Sequence, residues 1–274
     1  MSAVGRRLEA ARAGVGPCML REGFRDSMVV AGRNLRHFVR QPQLLIFSTI
    51  QPIMFVLLFS YVFGGAIGSS LRPGVDYLDF LLPGIFIQSA AFRSTQTAVG
   101  LAEDLDRGVV DRFRSMPMSR AAVLVGRTTA DLARGLFVVL LMTAVGYAIG
   151  FRFQEGPLEA LAAVAVVLLF GYALSWIFTL IGLTVRGSEA AQSAGFVGIF
   201  PLVFASSIFV PVETMPGWLE KFASVSPVTA SADAARAFSI GGDVGDPLML
   251  CLAWMAGILL VFVPLCVWRY RRMA

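Results

Sequence analysis

The residues of this chain that could perform chemistry are few, and their spacing does not form a catalytic site. Its only lysine, Lys221, lies outside any Gly-x-x-x-x-Gly-Lys-Ser/Thr sequence of the kind that binds nucleotide phosphates. Its only histidine, His37, has no metal-ligating partner at a suitable spacing. The sequence therefore predicts no catalytic residue, no metal site and no cofactor, which indicates that this chain is not an enzyme.

The most informative segment carries charge instead of catalytic groups. Residues 107–126 are charged and amphipathic, and they lie between two long hydrophobic stretches. Within this segment Val109, Val110 and Phe113 form an apolar patch that is flanked by charges of both signs. The chain as a whole is 57% hydrophobic and has a mean hydropathy of +0.73. A polar segment in so apolar a chain indicates a docking surface for a motor protein outside the membrane, and hence a membrane transport subunit.

The elements that must position this segment are hydrophobic helices. Only 15% of the residues are charged, against about 25% in soluble domains. Six stretches come close to the roughly 20 apolar residues that a transmembrane helix needs. They are residues 44–67, 80–102, 132–151, 160–185, 190–210 and 248–268. The predicted fold class is an all-α integral membrane protein with six transmembrane helices.

The placement of basic residues predicts the orientation. If both termini are cytoplasmic, the inner segments hold 18 basic residues and the outer segments hold four. This excess matches the positive-inside rule, so we expect a multi-pass protein of the cell membrane with both termini in the cytoplasm. The orientation also explains the net charge of +5 without a nucleic-acid partner.

Amphipathic helices are predicted outside the six spans. Residues 1–22 show no apolar periodicity and are interpreted as a cytoplasmic tail, whereas residues 23–42 place apolar side chains on one helical face and arginines on the other. We expect that helix to lie in the lipid interface, with packing against a neighbouring protein as the alternative. Residues 43–272 form the transmembrane domain. Between spans five and six, residues 211–247 predict two short outer re-entrant or interfacial helices, the second opening at Ser226-Pro227 and stopping at Gly241-Gly242.

Polar and aromatic residues inside the spans indicate a translocation path or a seam between subunits. An arginine within a membrane span is costly unless it faces water or a partner, so Arg93 is interpreted as lining a conduit or seam, with snorkelling toward the cytoplasmic face as the alternative. Phenylalanines recur every four or eight residues in spans one and five, as expected for packing or lipid contact; contact with substrate is the alternative. The candidate residues are Phe47, Gln51, Phe55, Phe59, Gln88, Arg93, Gln96, Phe196, Phe200 and Phe204.

Four short motifs in the same order and topology resemble the permease subunits of ABC type-2 exporters, and most closely those linked to daunorubicin and doxorubicin resistance. The matching stretches are Leu82-Pro83-Gly84, the run from Ala102-Glu103-Asp104 to Arg120, Gly126-Arg127-Thr128-Thr129-Ala130-Asp131-Leu132, and Phe209-Val210-Pro211-Val212-Glu213-Thr214-Met215-Pro216-Gly217-Trp218-Leu219, which continues into Ser226-Pro227-Val228-Thr229. The resemblance covers residues 25–269.

The resemblance implies a division of labour between chains. In such permeases the segment after span two carries a cytoplasmic coupling helix that docks on a separate ATP-binding subunit. Here that assigns the contact to Glu103, Asp104, Asp106, Arg107, Val109, Val110, Asp111, Arg112, Phe113 and Arg114. Two copies of the ATP-binding subunit would hold ATP and Mg, while this chain would pair with a second permease, identical or homologous, through spans one and five.

The expected function is outward movement of amphiphilic drugs or lipid-like molecules, energised by the partner ATPase. The alternative is an ion-coupled secondary transporter working alone. That class usually places acidic residues or histidine within its spans, whereas here Glu103 and Glu189 stand at span ends. A membrane scaffold without transport is a third interpretation, and the polar middle of span two argues mildly against it.

Overall fold

A computed structural model describes residues 42–68, 71, 75–107 and 120–272, with side chains for residues 50–68, 71, 75–107, 131–270 and 272. Three predicted features fall outside these residues: the tail at 1–22, the interfacial helix at 23–42 except its last residue, and the coupling residues Val109, Val110, Asp111, Arg112, Phe113 and Arg114. The side chain of Phe47 also lies outside them.

All regular secondary structure in the described ranges is helical, which confirms the all-α fold. The helices are α1 (Pro42–Gly68), α2 (Tyr77–Asp106), α3 (Arg120–Ile149), α4 (Pro157–Thr184), α5 (Ser188–Phe204), α6 (Gly217–Val225), α7 (Pro227–Ile240) and α8 (Gly245–Arg272), with a 3-10 turn at Val212–Thr214 before α6.

Each of the six predicted stretches contains a helix, and four of the described helices are long and apolar enough to cross a membrane. These candidate spans are Ile50–Gly68 in α1, Asp131–Ile149 in α3, Pro157–Thr184 in α4 and Gly245–Tyr270 in α8. Helix α2 is long enough but has a polar middle, and α5 has only 17 residues. Helix α5 ends at Phe204 instead of continuing to residue 210, and the chain turns there. The six-span count therefore stays a prediction.

Helices α2 and α4 form the centre of the bundle. Helix α2 packs against α1, α3, α4, α5 and α7, and its residues 81–88 are all buried. The α2–α4 contact is close because Gly182 has no side chain: a Cβ there would lie 2.7 Å from the carbonyl oxygen of Ala98. By contrast, α1 and α8 expose large apolar side chains such as Leu58 and Leu260. Such faces suit contact with lipid.

The two short helices after α5 differ in burial. Helix α6 buries only Ala223 and exposes Trp218 and Phe222, as an interfacial helix would. Helix α7 is inserted into the bundle, where its small residues pack against α2, α4 and α8. Its predicted ends are confirmed: the Ser226 hydroxyl accepts a hydrogen bond from the Val228 N–H (3.3 Å), and Gly241 ends the helix with φ of +81°.

Candidate functional site

The phenylalanines predicted on spans one and five meet in one continuous row. On α1, Phe59 stacks on Phe63 (ring centroids 5.2 Å apart), and on α5, Phe200 stacks on Phe204 (4.7 Å). Phe209 joins the two sets, lying 4.5 Å from Phe59 and 5.4 Å from Phe204. The full phenylalanine row consists of Phe55, Phe59, Phe63, Phe209, Phe204, Phe200, Phe196 and Phe92.

One side of the phenylalanine row is open. Phe63, Phe196, Phe200 and Phe204 are each about two-fifths exposed, at 40%, 36%, 48% and 42%. Aromatic side chains give large contact areas and favour stacked or edge-on neighbours within 4.5–7 Å. The row is therefore a surface suited to another aromatic or apolar molecule, whether lipid, a second chain or a substrate.

Phe209 is held in place from α2, and sequence reasoning named it in a family motif but not as a member of the row. The Tyr77 hydroxyl donates a 3.0 Å hydrogen bond to the Phe209 carbonyl oxygen. Burial raises the pKa of Tyr77 to about 12, so the hydroxyl remains a donor at physiological pH. Phe209 follows Phe204 by five residues and lies beyond the end of α5, which is why the helical spacing did not reveal it.

The predicted polar residues do not all share the surface of the phenylalanine row. Gln51 and Gln96 are exposed. Gln88 is 3% exposed, and neither its amide oxygen nor its amide nitrogen has a hydrogen-bond partner in the described part of the chain. A buried amide without partners costs free energy, so Gln88 marks a position in α2 that a further polar group could satisfy.

Arg93 points into the bundle between α3 and α4, away from its neighbour Phe92 on the row. Its guanidinium fits because two glycines leave space: a Cβ on Gly135 would lie 2.8 Å from Arg93 Nη2, and a Cβ on Gly171 would lie 3.5 Å from it. Arg93 and Asp131 line the same small cavity of about 10 Å³. That volume is roughly the room of one water molecule. The negative charge of the Asp131 carboxylate favours the charged form of the Arg93 guanidinium.

Asp131 is the centre of this partly buried charge cluster, and sequence reasoning named it only as part of a family motif. The Thr97 hydroxyl donates a 2.7 Å hydrogen bond to Asp131 Oδ2, and Arg134 Nη1 lies 3.7 Å from Asp131 Oδ1. The available signal was that Arg93 and Thr97 are four residues apart and so share one face of α2. Asp131 stands at the edge of the third predicted span and was not considered as their partner.

Arg236 lies at a third site, where α7, the end of α5 and the start of α2 meet. The sequence placed it in the second short outer helix, at the outer interface, yet its side chain is only 7% exposed. Its Nε donates to the Phe80 carbonyl (2.8 Å), and Nη2 donates to the Ser207 and Ile208 carbonyls (2.7 and 2.9 Å). Its Nη1 donates to Asp233 Oδ1 (2.7 Å) and Ser207 Oγ (3.0 Å). Arg236 thereby connects α7, which follows Phe209 in the chain, to the start of α2 and to the turn just before Phe209.

The C-terminal end of α2 carries the described part of the predicted coupling segment. Asp106 and Arg107 are exposed, Glu103 and Asp104 are half-buried, and Arg107 Nη2 lies 3.5 Å from Glu103 Oε2. An exposed pair of this kind contributes little to stability. Asp106 and Arg107 are therefore exposed enough for contact with another protein.

Comparison with known proteins assigns the family. The sequence model for the ABC-2 type transporter matches residues 26–238, most of the chain. The chain belongs to the ABC-2 type transporter family. Members of this family are membrane permease subunits that work with ATP-binding subunits in ABC transporters. The resemblance seen in the sequence motifs is confirmed.

The relatives of this ABC-2 permease include drug-resistance permeases. It is 37% identical over 245 residues to the daunorubicin resistance ABC transporter permease protein DrrB1 of Streptomyces coeruleorubidus, covering 87% of this chain and 83% of that protein. It is 28% identical over 248 residues to the probable doxorubicin resistance ABC transporter permease protein DrrC of Mycobacterium tuberculosis, covering 90% and 88%. A putative transport permease of Porphyra purpurea, ycf38, is 23% identical over 201 residues, with 72% and 68% covered.

Proposed function

We propose that this permease subunit exports amphiphilic drugs or lipid-like molecules, using ATP hydrolysed by a separate ATP-binding subunit. The observation that carries the proposal is the phenylalanine row, an open aromatic surface built from α1, α2 and α5. Apolar cargo can slide along such a surface without leaving a charge unpaired. The drug-resistance names of the relatives support the same substrate class.

The phenylalanine row also supports pairing with a second permease chain, identical or homologous. A complex of two permeases would bring two such rows face to face and cover the exposed halves of Phe196, Phe200 and Phe204. Large exposed apolar faces in membrane helices gain from close packing and stacking. The row would then serve both as the seam between the chains and as the wall of the translocation path.

Coupling to the ATP-binding subunit is assigned to residues 103–114. Helix α2 reaches Asp106 as a continuous helix, and α3 begins at Arg120, so this segment connects two rigid helices. Any force applied to it acts on both. Two ATP-binding subunits, one for each permease, would hold ATP and Mg, and this chain would hold neither.

The Arg93–Asp131 cluster supports a route for that force. It joins α2 to α3, the two helices that flank the coupling segment. In a partly buried charge cluster each charge is stabilised by its partner, and this favours one arrangement of the two helices. Movement of the coupling segment would therefore shift α2 and α3 together instead of separating them.

The proposed layout keeps the predicted topology. The layout has six spans, of which α2 is polar in its middle and α5 is short. It places both termini in the cytoplasm and α6 and α7 on the outer side. The tail at 1–22 and the interfacial helix at 23–42 complete the cytoplasmic face, and 43–272 is the transmembrane domain.

Transport assays on the complex test the coupling role. The permease is purified together with its ATP-binding subunit and reconstituted, and substrate-stimulated ATP hydrolysis and export are measured for Phe113→Asp and Arg112→Glu. Both variants should lose most coupled turnover, whereas the control Arg152→Glu, an exposed arginine at the opposite end of α3, should not. Unchanged coupled turnover in both variants would remove the coupling role. Proton-driven efflux from liposomes that contain this chain alone would instead support the secondary transporter.

A further inference from the structure

The contact between α2 and α5 depends on packing alone. Among the described residues, which include both helices in full, no hydrogen bond or ion pair joins them. The ring of Phe92 on α2 lies 6.0 and 5.8 Å from the rings of Phe196 and Phe200 on α5. Almost one turn further along α2, a Cβ added to Gly195 would lie 3.1 Å from the Thr95 Cβ. Each such contact is individually weak, so the interface depends on close fit.

Gln88 lies within this interface and disturbs it. One turn before Gln88, a Cβ added to Gly84 would lie 2.7 Å from the carbonyl oxygen of Ile208, just beyond α5; one turn after it, Phe92 contacts α5. Residues four apart share a helical face, so Gln88 faces the C-terminal part of α5. Its side chain is 3% exposed, and neither amide atom has a partner among the described residues. Such an amide costs free energy that hydration would recover.

Helix α5 is fastened at one end only. Just beyond its C-terminal end, the Ser207 and Ile208 carbonyls accept hydrogen bonds from Arg236 (2.7 and 2.9 Å), and the Ser207 N–H donates to the Thr229 hydroxyl (3.1 Å). At the other end, α5 follows a turn at Gly187, whose φ is +87°. Within the described part of the chain, no residue of α5 itself forms a hydrogen bond to another helix. The bonds that hold α5 in the bundle therefore lie at its C-terminal end.

We infer that α5 separates from α2 by pivoting on the turn after Phe204, and that the unpaired amide of Gln88 favours the separated state. Glu189, Gln192 and Ser193 are exposed on the N-terminal half of α5, so water can enter from that end. The aromatic contacts favour the closed state, whereas hydration of the amide favours the open one. The inference goes beyond the proposed export function and does not rest on it, because this opening needs neither ATP nor substrate.

A cysteine in the interface reports the opening. Thr95 is 1% exposed, so the thiol of Thr95→Cys should react with a water-soluble maleimide only while α5 is separated from α2. Ser239→Cys on α7, where Ser239 is 0% exposed, is the control reporter for unfolding of the whole bundle. Cys18→Ser removes one native cysteine, and the chain without a reporter gives the background from the buried Cys251 and Cys266. The purified full chain in nanodiscs is used without ATP.

Substitutions of Gln88 should change the opening in opposite directions. Gln88→Met keeps the length and removes the unpaired amide, so it should slow labelling of Thr95→Cys at least about fivefold. Gln88→Glu should speed this labelling, because a carboxylate is more costly to bury than an amide. Neither change should affect Ser239→Cys. Gln96→Met, at an exposed glutamine of the same helix, should affect neither reporter.

Three results would overturn the inference. If Gln88→Met leaves the labelling of Thr95→Cys unchanged, the amide does not favour opening. If it slows both reporters equally, it stabilises the whole bundle and not the α2–α5 contact. If Gln88→Met and Gln88→Glu both speed the labelling of Thr95→Cys, any change at this position merely loosens the packing.

Discussion

Replacing Arg236 by methionine should destabilise the packing of α7 against α2 more than any other single arginine change outside the predicted spans. All five N–H groups of this guanidinium are used, and the guanidinium carbon also lies 3.7 Å from the centre of the Phe80 ring. Methionine has a similar length and keeps the apolar contact, so the change removes mainly the hydrogen bonds and the charge.

The size of the effect follows from these contacts. Removing one partner of a buried ion pair costs about 3–5 kcal/mol, but the Asp233 side chain is 36% exposed and can be hydrated once Arg236 is gone. The ion-pair contribution therefore falls below that range. The carbonyls of Phe80, Ser207 and Ile208 each lose a donor at about 1 kcal/mol. The carbonyls together contribute about 3 kcal/mol and the weakened ion pair adds to this, so we expect the free energy of unfolding to fall by at least about 3 kcal/mol.

Unfolding of the purified protein by sodium dodecyl sulfate in mixed micelles measures this loss. Arg236→Lys keeps the charge but not the planar set of donors, so it should lose about half as much. Arg152→Met is the matched control, because Arg152 is exposed and its guanidinium contacts the nearby Tyr147 ring and the carbonyls of Tyr147 and Phe151, all close in sequence. Equal losses for Arg236→Met and Arg152→Met would refute the argument that Arg236 fastens α7 to α2.

Three further changes test the packing, the charge cluster and the phenylalanine row. Gly182→Leu should lower the free energy of unfolding by at least 1–3 kcal/mol because its side chain meets the Ala98 backbone, whereas Gly257→Leu, with open space around it, should not; equal stabilities would contradict the close α2–α4 contact. A double-mutant cycle of Arg93→Leu and Asp131→Leu should give a coupling energy of about 1–3 kcal/mol, and additive losses would show that the two side chains do not interact. Phe200→Cys should form an oxidised dimer in membranes, while Leu260→Cys on the lipid face of α8 should not, and equal cross-linking of the two would argue against pairing through the row.

The positions of the helices could be predicted because they depend on local composition. A run of apolar residues must form a helix in lipid to satisfy its backbone, whatever the rest of the chain does. The start of α7 was equally local, since Ser226 and Pro227 form the cap by themselves. The end of α5 was not: apolar residues continue to Val210, but the chain turns after Phe204, where the backbone carbonyls of Ser207 and Ile208 are bound by Arg236.

The site residues were predicted only where their neighbours lie on the same helix. The spacing of Phe196, Phe200 and Phe204 shows a shared face, but no spacing connects them to Phe59 through Phe209. Arg236 and Phe80 are 156 residues apart, so the sequence around Arg236 gave no sign of burial. Sequence reasoning misses such long-range pairs most easily when they involve charged residues near predicted span ends. The reason is that a charged residue at such a position would also be stable in a solvated loop.

The central claim is that an inward-facing segment of this permease takes force from a separate ATP-binding subunit. A single cysteine introduced by Asp111→Cys, with Cys18→Ser, tests it with a membrane-impermeant thiol reagent. We predict labelling in inside-out vesicles, no labelling in right-side-out vesicles, and protection when the ATP-binding subunit is bound. Labelling from the exterior alone would contradict the claim.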